Sequence, residues 1–180
     1  MNHGFHRDVW KMKDPHGRNI AFMNQQFEHS FTQANFDRHR RDALEMERLT
    51  KSPHVLDIFG FCACAGVSEY SEGGDVIEAV WPSTKSTKKR GLARKEKLKI
   101  TAQVAQGIAN MHDFEGRPSI AHTDITLSQF ILVDGSFKLN DFNQARFMRW
   151  NITRNEPCGF YVGKNRGSVS TPFPPHLHSV

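Results

Sequence analysis

Long apolar runs and paired cysteines are what this chain of 180 residues most clearly lacks. No apolar stretch approaches the roughly 20 residues of a membrane helix, and Met1-Asn2-His3-Gly4 lacks the apolar core of a signal peptide. The cysteines Cys62, Cys64 and Cys158 are an odd number without zinc spacing, which favours free thiols in a reducing compartment. We therefore expect a cytoplasmic protein with no membrane partner, and a nuclear location is the alternative.

Repeats and low-complexity tracts are also absent, and the length fits one domain or a small two-lobed unit. Much of the net charge of +5 lies in a basic run at residues 85–99. Such a run could bind nucleic acid or another anionic partner. Because no aromatic side chains are interleaved to stack on bases, we interpret it as a solvated connector and do not expect a nucleic-acid partner.

Two carboxylates, Asp124 and Asp141, stand on either side of a predicted hairpin. Strands are predicted at residues 130–133 and 137–139, and Asp134-Gly135-Ser136 between them is typical of a tight turn. A hairpin would bring the two carboxylates side by side. One could then orient the proton of an attacking hydroxyl, and the other could hold magnesium, which prefers oxygen ligands.

These residues lie in a longer pattern that resembles the catalytic core of a protein kinase. His122-Thr123-Asp124, Gln129 and Asp141-Phe142-Asn143 follow the order of the family's His-Arg-Asp loop, its asparagine and its Asp-Phe-Gly triplet. The resemblance implies that Asp124 is catalytic and that Asp141 and Gln129 bind metal. Thr123, Gln129 and Asn143 depart from the family's Arg, Asn and Gly. His122 is predicted to support the loop by packing rather than to bind metal.

Upstream, the predicted elements are typical of a kinase small lobe. Strands at 8–13 and 19–23, a helix at 35–50 and strands at 55–61 and 67–70 follow one another. The resemblance implies an α+β, two-lobed kinase-like fold. Its parts would be a small lobe at residues 1–68, a hinge at 69–75, a partial helical lobe at 76–172 and a divergent tail at 173–180. A core helix is predicted at 95–113.

Nucleotide-binding residues also follow from the resemblance. Val9 and Ala21 occupy positions on strands that line the family's ATP site, and Glu69, Tyr70 and Asp75 lie in the hinge segment that contacts adenine and ribose. Asp75 could equally be a helix N-cap.

The phosphate-binding part departs most from the family. Met23 stands at the position of the phosphate-binding lysine, with Asp42 nearest to the position of its glutamate partner and Glu45 as the alternative. Of the glycine-rich loop, Gly4 alone is retained. Arg7 stands at another of its glycine positions, from which the with-no-lysine kinases supply their lysine. Arg7 could therefore replace the missing cation, or it could be a solvated side chain.

At the other end, residues 157–172 resemble an activation segment, with Phe173 where the family has Glu. The family's first strand and its large C-terminal helices have no counterpart, which implies a truncated, degenerate, pseudokinase-like domain of the Ser/Thr type.

We expect weak binding of ATP and Mg²⁺, and phosphoryl transfer to a protein substrate that is weak or absent. The alternatives are an active kinase that uses Arg7, and a non-catalytic module that binds a protein partner. Self-association is expected as well, because the helix around Leu98 to Met111 would lack its usual cover.

Overall fold

The structure is a computed structural model that describes residues 7–82, 92–113, 116 and 119–159, together with the backbone of Asn2–His3. Its first part contains five strands: β1 (Asn2–His3), β2 (Arg7–Lys13), β3 (Asn19–Gln25), β4 (Ile58–Cys62) and β5 (Ala65–Glu69). They form one antiparallel sheet in the order β1-β2-β3-β5-β4.

A tight turn joins β2 to β3 and fixes their register. The backbone amides of His16 and Arg18 each donate to Oδ1 of Asp14 at 2.9 Å. Gly17 in this turn has a φ of 81°, a left-handed conformation that glycine adopts at little cost. The resulting register places β2 residues directly opposite β3 residues from Arg7↔Gln25 to Lys13↔Asn19.

Helix α1 (Gln33–Arg48) packs against β4. Thr32 caps its first turn, because Oγ1 of Thr32 accepts a hydrogen bond from the amide of Asn35 at 3.3 Å. The inward face of the helix carries polar as well as apolar side chains, and the buried ones are His39, Asp42, Ala43, Glu45 and Met46. Buried polar groups need partners, so this face is where a specific polar arrangement is expected.

The rest of the described chain contains two further helices and three small antiparallel sheets. The helices are α2 (Val76–Val80) and α3 (Arg94–His112), and a 3₁₀ turn covers Leu127–Gln129. The strands are β6 (Ile120–Ala121), β7 (Phe130–Val133), β8 (Ser136–Leu139), β9 (Arg146–Phe147), β10 (Trp150–Asn151) and β11 (Glu156–Pro157), paired as β6 with β9, β7 with β8 and β10 with β11. No helix within the described ranges is long and apolar enough to cross a membrane.

One apolar cluster connects the sheet and α1 to the β7–β8 hairpin. The amide of Leu56 donates to the carbonyl of Leu139 at 2.9 Å, and the amide of Leu139 donates to the carbonyl of His54 at 2.8 Å. Helix α3 approaches the same segment at Gly107, where a Cβ atom would stand 2.9 Å from the carbonyl oxygen of His54. The hairpin is therefore held firmly against the segment between α1 and β4.

The predicted order of the longer strands and helices is confirmed, with changed boundaries. The expectation that no strand precedes β2 is wrong, because β1 pairs antiparallel with β2 at the edge of the sheet. The helix predicted over 35–50 spans Gln33–Arg48. The strand predicted to begin at Val55 begins only at Ile58, because Val55 and Leu56 pair with Leu139 of β8 instead of with β5.

Candidate functional site

Arg7, at the start of β2, is held by two side chains of α1. Its Nε–H group donates to Nδ1 of His39 at 2.7 Å, and its Nη1 atom forms an ion pair with Oδ2 of Asp42. The Arg7 side chain is 16% exposed and that of Asp42 only 1%. Arg7 is therefore not the solvated side chain that the sequence left open, and the shielded pair fixes the position of the guanidinium.

The guanidinium of Arg7 lies beside Met23, with 3.9 Å between Nη1 and the sulfur atom. Arg7 and Val9 share one face of β2, and Val9 lies opposite Met23 on β3. Ala21 lies on the same face of β3, and both Ala21 and Met23 are buried. The structure thus brings together these predicted nucleotide-binding residues, with a cation next to the position that the resemblance assigns to the lysine.

Asp42, and not Glu45, provides the counter-charge on α1. Glu45 is fully buried, and neither of its carboxyl oxygens has a hydrogen-bond partner among the described residues. Burial raises the pKa of Glu45 to about 8, although the nearby charges of Arg48 and Arg41 oppose the rise. Glu45 is therefore mainly neutral at pH 7.

Asp141 lies two residues after β8 in a left-handed backbone conformation, with a φ of 62°. Its Oδ1 atom accepts a hydrogen bond from Nδ2 of Asn143. Burial raises the pKa of Asp141 to about 6; the charge of Asp42 adds to this rise and that of Arg7 opposes it. Asp141 is thus within electrostatic reach of the Arg7–Asp42 pair, and at pH 7 it is mainly a carboxylate.

Asp124 is held next to the segment that follows Asp141. Its Oδ2 atom accepts a hydrogen bond from Nε2 of Gln144 at 3.2 Å. Thr123, whose φ is 64°, donates from Oγ1 to the carbonyl of Gln144 at 2.9 Å. The charge of Asp124 also contributes to the raised pKa of Asp141. The two predicted carboxylates therefore belong to one electrostatic environment.

Gln129 and His122 both contact Asn140, the residue before Asp141. The amide of Asn140 donates to the carbonyl of Gln129 at 2.8 Å, and its carbonyl accepts from Nε2 of His122 at 3.1 Å. The buried His122 ring lies 4.9 Å from the ring of Phe142, and burial lowers its pKa. His122 is therefore a neutral, hydrogen-bonded support, as predicted.

The side chains of Glu69 and Tyr70 line a cleft of about 550 Å³, and neither Arg7 nor Asp141 lines it. Its other walls include Arg18, Phe59 and Leu132. The two carboxylate oxygens of Glu69 lie 2.6 and 2.8 Å from Nζ of Lys138 on β8. Nζ of Lys11 stands 4.7 Å from the centre of the Tyr70 ring. These side chains fasten the segment to its neighbours, so any contact with an adenine ring would fall to the backbone of Glu69 and Tyr70.

Asp75 caps helix α2, because its Oδ1 atom accepts a hydrogen bond from the amide of Glu78 at 2.8 Å. Of its two predicted roles, the N-cap is confirmed and the ribose contact stays a prediction.

Some predicted features lie outside the described residues. These are Gly4 of the glycine-rich loop, residues 85–91 of the basic run, residues 160–172 of the activation segment and the tail at 173–180.

Three partners of the site were missed in the sequence: His39, Gln144 and Lys138. His39 precedes Asp42 by three residues on a helix, so the two share a face, and this spacing is the signal that could have revealed it. Gln144 and Lys138 gave no such signal, because their contacts join residues 20 and 69 positions apart.

Comparison with known proteins supports the kinase resemblance over part of the chain. No protein-family model matches the sequence. It is 28% identical to an LRR receptor-like serine/threonine-protein kinase of Arabidopsis thaliana over 128 residues, which cover 67% of this chain and 10% of that protein. It is 32% identical to a putative receptor-like protein kinase of the same plant over 92 residues, 49% of this chain and 20% of the relative. These partial matches support a kinase-related origin. The chain spans only a tenth and a fifth of these relatives' lengths.

Proposed function

We propose that this chain is a kinase-like domain that binds ATP with magnesium, and that Arg7 takes the role of the lysine replaced by Met23. The proposal includes an α+β, two-lobed fold, with a small lobe at residues 1–68, a hinge at 69–75 and a partial larger lobe at 76–172. The observation that carries it is the shielded ion pair between Arg7 and Asp42. In kinases a lysine–glutamate pair positions the cation that contacts the α- and β-phosphates, and here an arginine–aspartate pair lies beside the same strand position.

The charges around Asp141 fit a magnesium–polyphosphate ligand in part. Magnesium usually retains water and binds one or two carboxylates together with phosphate oxygens. Among the described residues no group of three or more His, Cys, Asp or Glu side chains is suited to hold a metal ion alone. Asp141, with Gln129 as a second oxygen ligand, would therefore need the phosphates to complete the site. The hydrogen bond from Asn143 to Oδ1 of Asp141 competes with a metal ion, so binding should be weak.

Phosphoryl transfer to a protein serine or threonine would depend on Asp124. Bound ATP would supply the phosphoryl group, and the Asp124 carboxylate would orient the attacking hydroxyl. One of its oxygens already accepts a hydrogen bond from Gln144, and Thr123 provides no cation beside it. We therefore expect slow transfer, and Asp124→Asn should abolish any turnover that is measured.

A second candidate is a non-catalytic module that binds a protein partner through the kinase-like surface. The contact between Asn143 and Asp141 favours it, because a carboxylate satisfied within its own loop has less need of a metal ion. Nucleotide binding separates the two candidates.

The proposed function is tested by titrating the protein with ATP, with and without magnesium, in a calorimeter. Binding should be weak, require magnesium and disappear in Asp141→Asn. Asp134→Asn is the matched control, since this carboxylate lies exposed in the turn of the same hairpin and should leave binding unchanged. Tight binding that ignores both magnesium and Asp141→Asn would contradict the proposal.

A further inference from the structure

We propose that His39 is a positioning residue that holds the Arg7 guanidinium in its phosphate-binding orientation; this inference rests on the proposed nucleotide site. Nothing in the kinase resemblance assigns a role to this histidine. Its place on α1, three residues before Asp42, brings it to the same cation.

The geometry gives His39 and Asp42 separate tasks. Asp42 accepts from Nη1 and balances the charge, whereas His39 accepts from Nε, at the inner end of the guanidinium. Two acceptors at different nitrogens of a planar group fix its rotation, which a single ion pair leaves free. Within the described residues the third nitrogen, Nη2, makes no hydrogen bond, so it is the donor left for a phosphate oxygen.

The contact with Arg7 also defines the protonation state of His39. Nδ1 can accept from Arg7 only with its lone pair available, so the proton of the ring is on Nε2 and the imidazole is neutral. His39 is 5% exposed, so its contact with the guanidinium is shielded from water. The side chain therefore acts as an acceptor and not as a counter-ion.

This distinction decides which substitutions preserve the role. In His39→Asn the amide oxygen lies about as far from the backbone as Nδ1 and can accept from Nε of Arg7. His39→Leu keeps the bulk of the side chain but removes the acceptor. His112→Leu is the matched control, since His112 is a partly buried helical histidine on α3, outside the site.

Magnesium-dependent ATP affinity should fall about tenfold in His39→Leu, the effect of one lost hydrogen bond to a charged group. His39→Asn should return it to within about twofold of the unaltered protein, and His112→Leu should leave it unchanged. Equal affinity in the unaltered protein and in His39→Leu would overturn the proposal. So would equal losses in the Leu and Asn variants, because packing alone would then explain the effect.

A second measurement does not depend on the nucleotide. Solvent exchange of the Arg7 Nε–H proton, followed by NMR in the free protein, should be slow in the unaltered protein and in His39→Asn, and fast in His39→Leu. Exchange in the unaltered protein as fast as that of the exposed Arg40 would overturn the proposal even if a variant fails to fold. Slow exchange without ATP binding would instead support the role of His39 in holding Arg7 and contradict the proposed nucleotide function.

Discussion

The Nη1 atom of Arg7 lies 3.9 Å from the Sδ atom of Met23, although the two residues are on different strands. Because β2 and β3 are adjacent and antiparallel, a cation carried by either strand can reach the same space. A methionine at position 23 therefore does not leave this space without a cation. From the sequence alone Arg7 could have been solvated, and its contacts with His39 and Asp42 decide against that alternative.

Glu45→Gln should make the fold more stable at neutral and alkaline pH. The pKa of Glu45 rises from 4.5 to about 8 on folding, so between these values the unfolded chain loses a proton that the folded chain keeps. Stability then falls by about 1.4 kcal/mol per pH unit over this window, and the glutamine variant should lack this loss. The free energy of unfolding of both proteins, measured with urea at pH 5 and pH 8, shows this difference. Glu47→Gln, an exposed neighbour on α1, is the control; equal effects of both substitutions would contradict the assignment.

Asp141→Asn should stabilise the free protein while removing its response to magnesium and ATP. Folding raises the pKa of Asp141 from 3.8 to about 6, so its charge destabilises the fold increasingly between these pH values. Above about pH 6 the asparagine variant should gain at most about 3 kcal/mol. Melting temperatures with and without magnesium and ATP measure both effects. If Asp141→Asn were less stable than the unaltered protein at pH 7, burial of the charged carboxylate would not destabilise the fold.

Gly107→Ala should destabilise the fold, in contrast to the usual effect of alanine in a helix. Replacing a glycine inside a helix by alanine normally stabilises the fold by about 1 kcal/mol. Here the new Cβ atom would stand 2.9 Å from the backbone oxygen of His54, which cannot move without disturbing Leu139. We expect a net loss of about 1 to 3 kcal/mol in urea unfolding. Gln106→Ala, on the exposed side of α3, should be nearly neutral, and a stabilised Gly107→Ala would contradict the close packing.

Lys138→Met should destabilise the fold more than Lys11→Met. The pair between Lys138 and Glu69 is 14% and 19% exposed, whereas that between Lys11 and Glu72 is 45% and 62% exposed. Leaving Glu69 without its cation should lower the free energy of unfolding by about 1 to 3 kcal/mol. Breaking the exposed pair should lower it by less than about 1 kcal/mol. A double-mutant cycle with Glu69→Gln isolates the coupling. Additive effects of the two substitutions would mean that the pair contributes nothing.

Local patterns made the longer strands and helices predictable, but not the short elements β1, α2, β6 and β9–β11. Alternation and turn residues located β2, β3 and the β7–β8 hairpin. The motif order selected Asp124 and Asp141 as candidate site residues, and their roles stay predictions. The sequence could not show that Val55 pairs with Leu139, since this bridge joins distant segments. Spacing ranked Asp42 ahead of Glu45 as the partner of a cation, and the contact of Arg7 with Asp42 decides between them.

Moving the cation between strands tests the central claim most directly. Magnesium-dependent ATP affinity should be measured by calorimetry in Arg7→Met and in the double variant Arg7→Met with Met23→Lys. Losing one charge-assisted phosphate contact should weaken binding by about tenfold to a hundredfold in Arg7→Met. The double variant should recover most of this loss, because a lysine at position 23 can pair with Asp42. Unchanged affinity in Arg7→Met, or no recovery in a folded double variant, would contradict the role of Arg7 as the phosphate-binding cation.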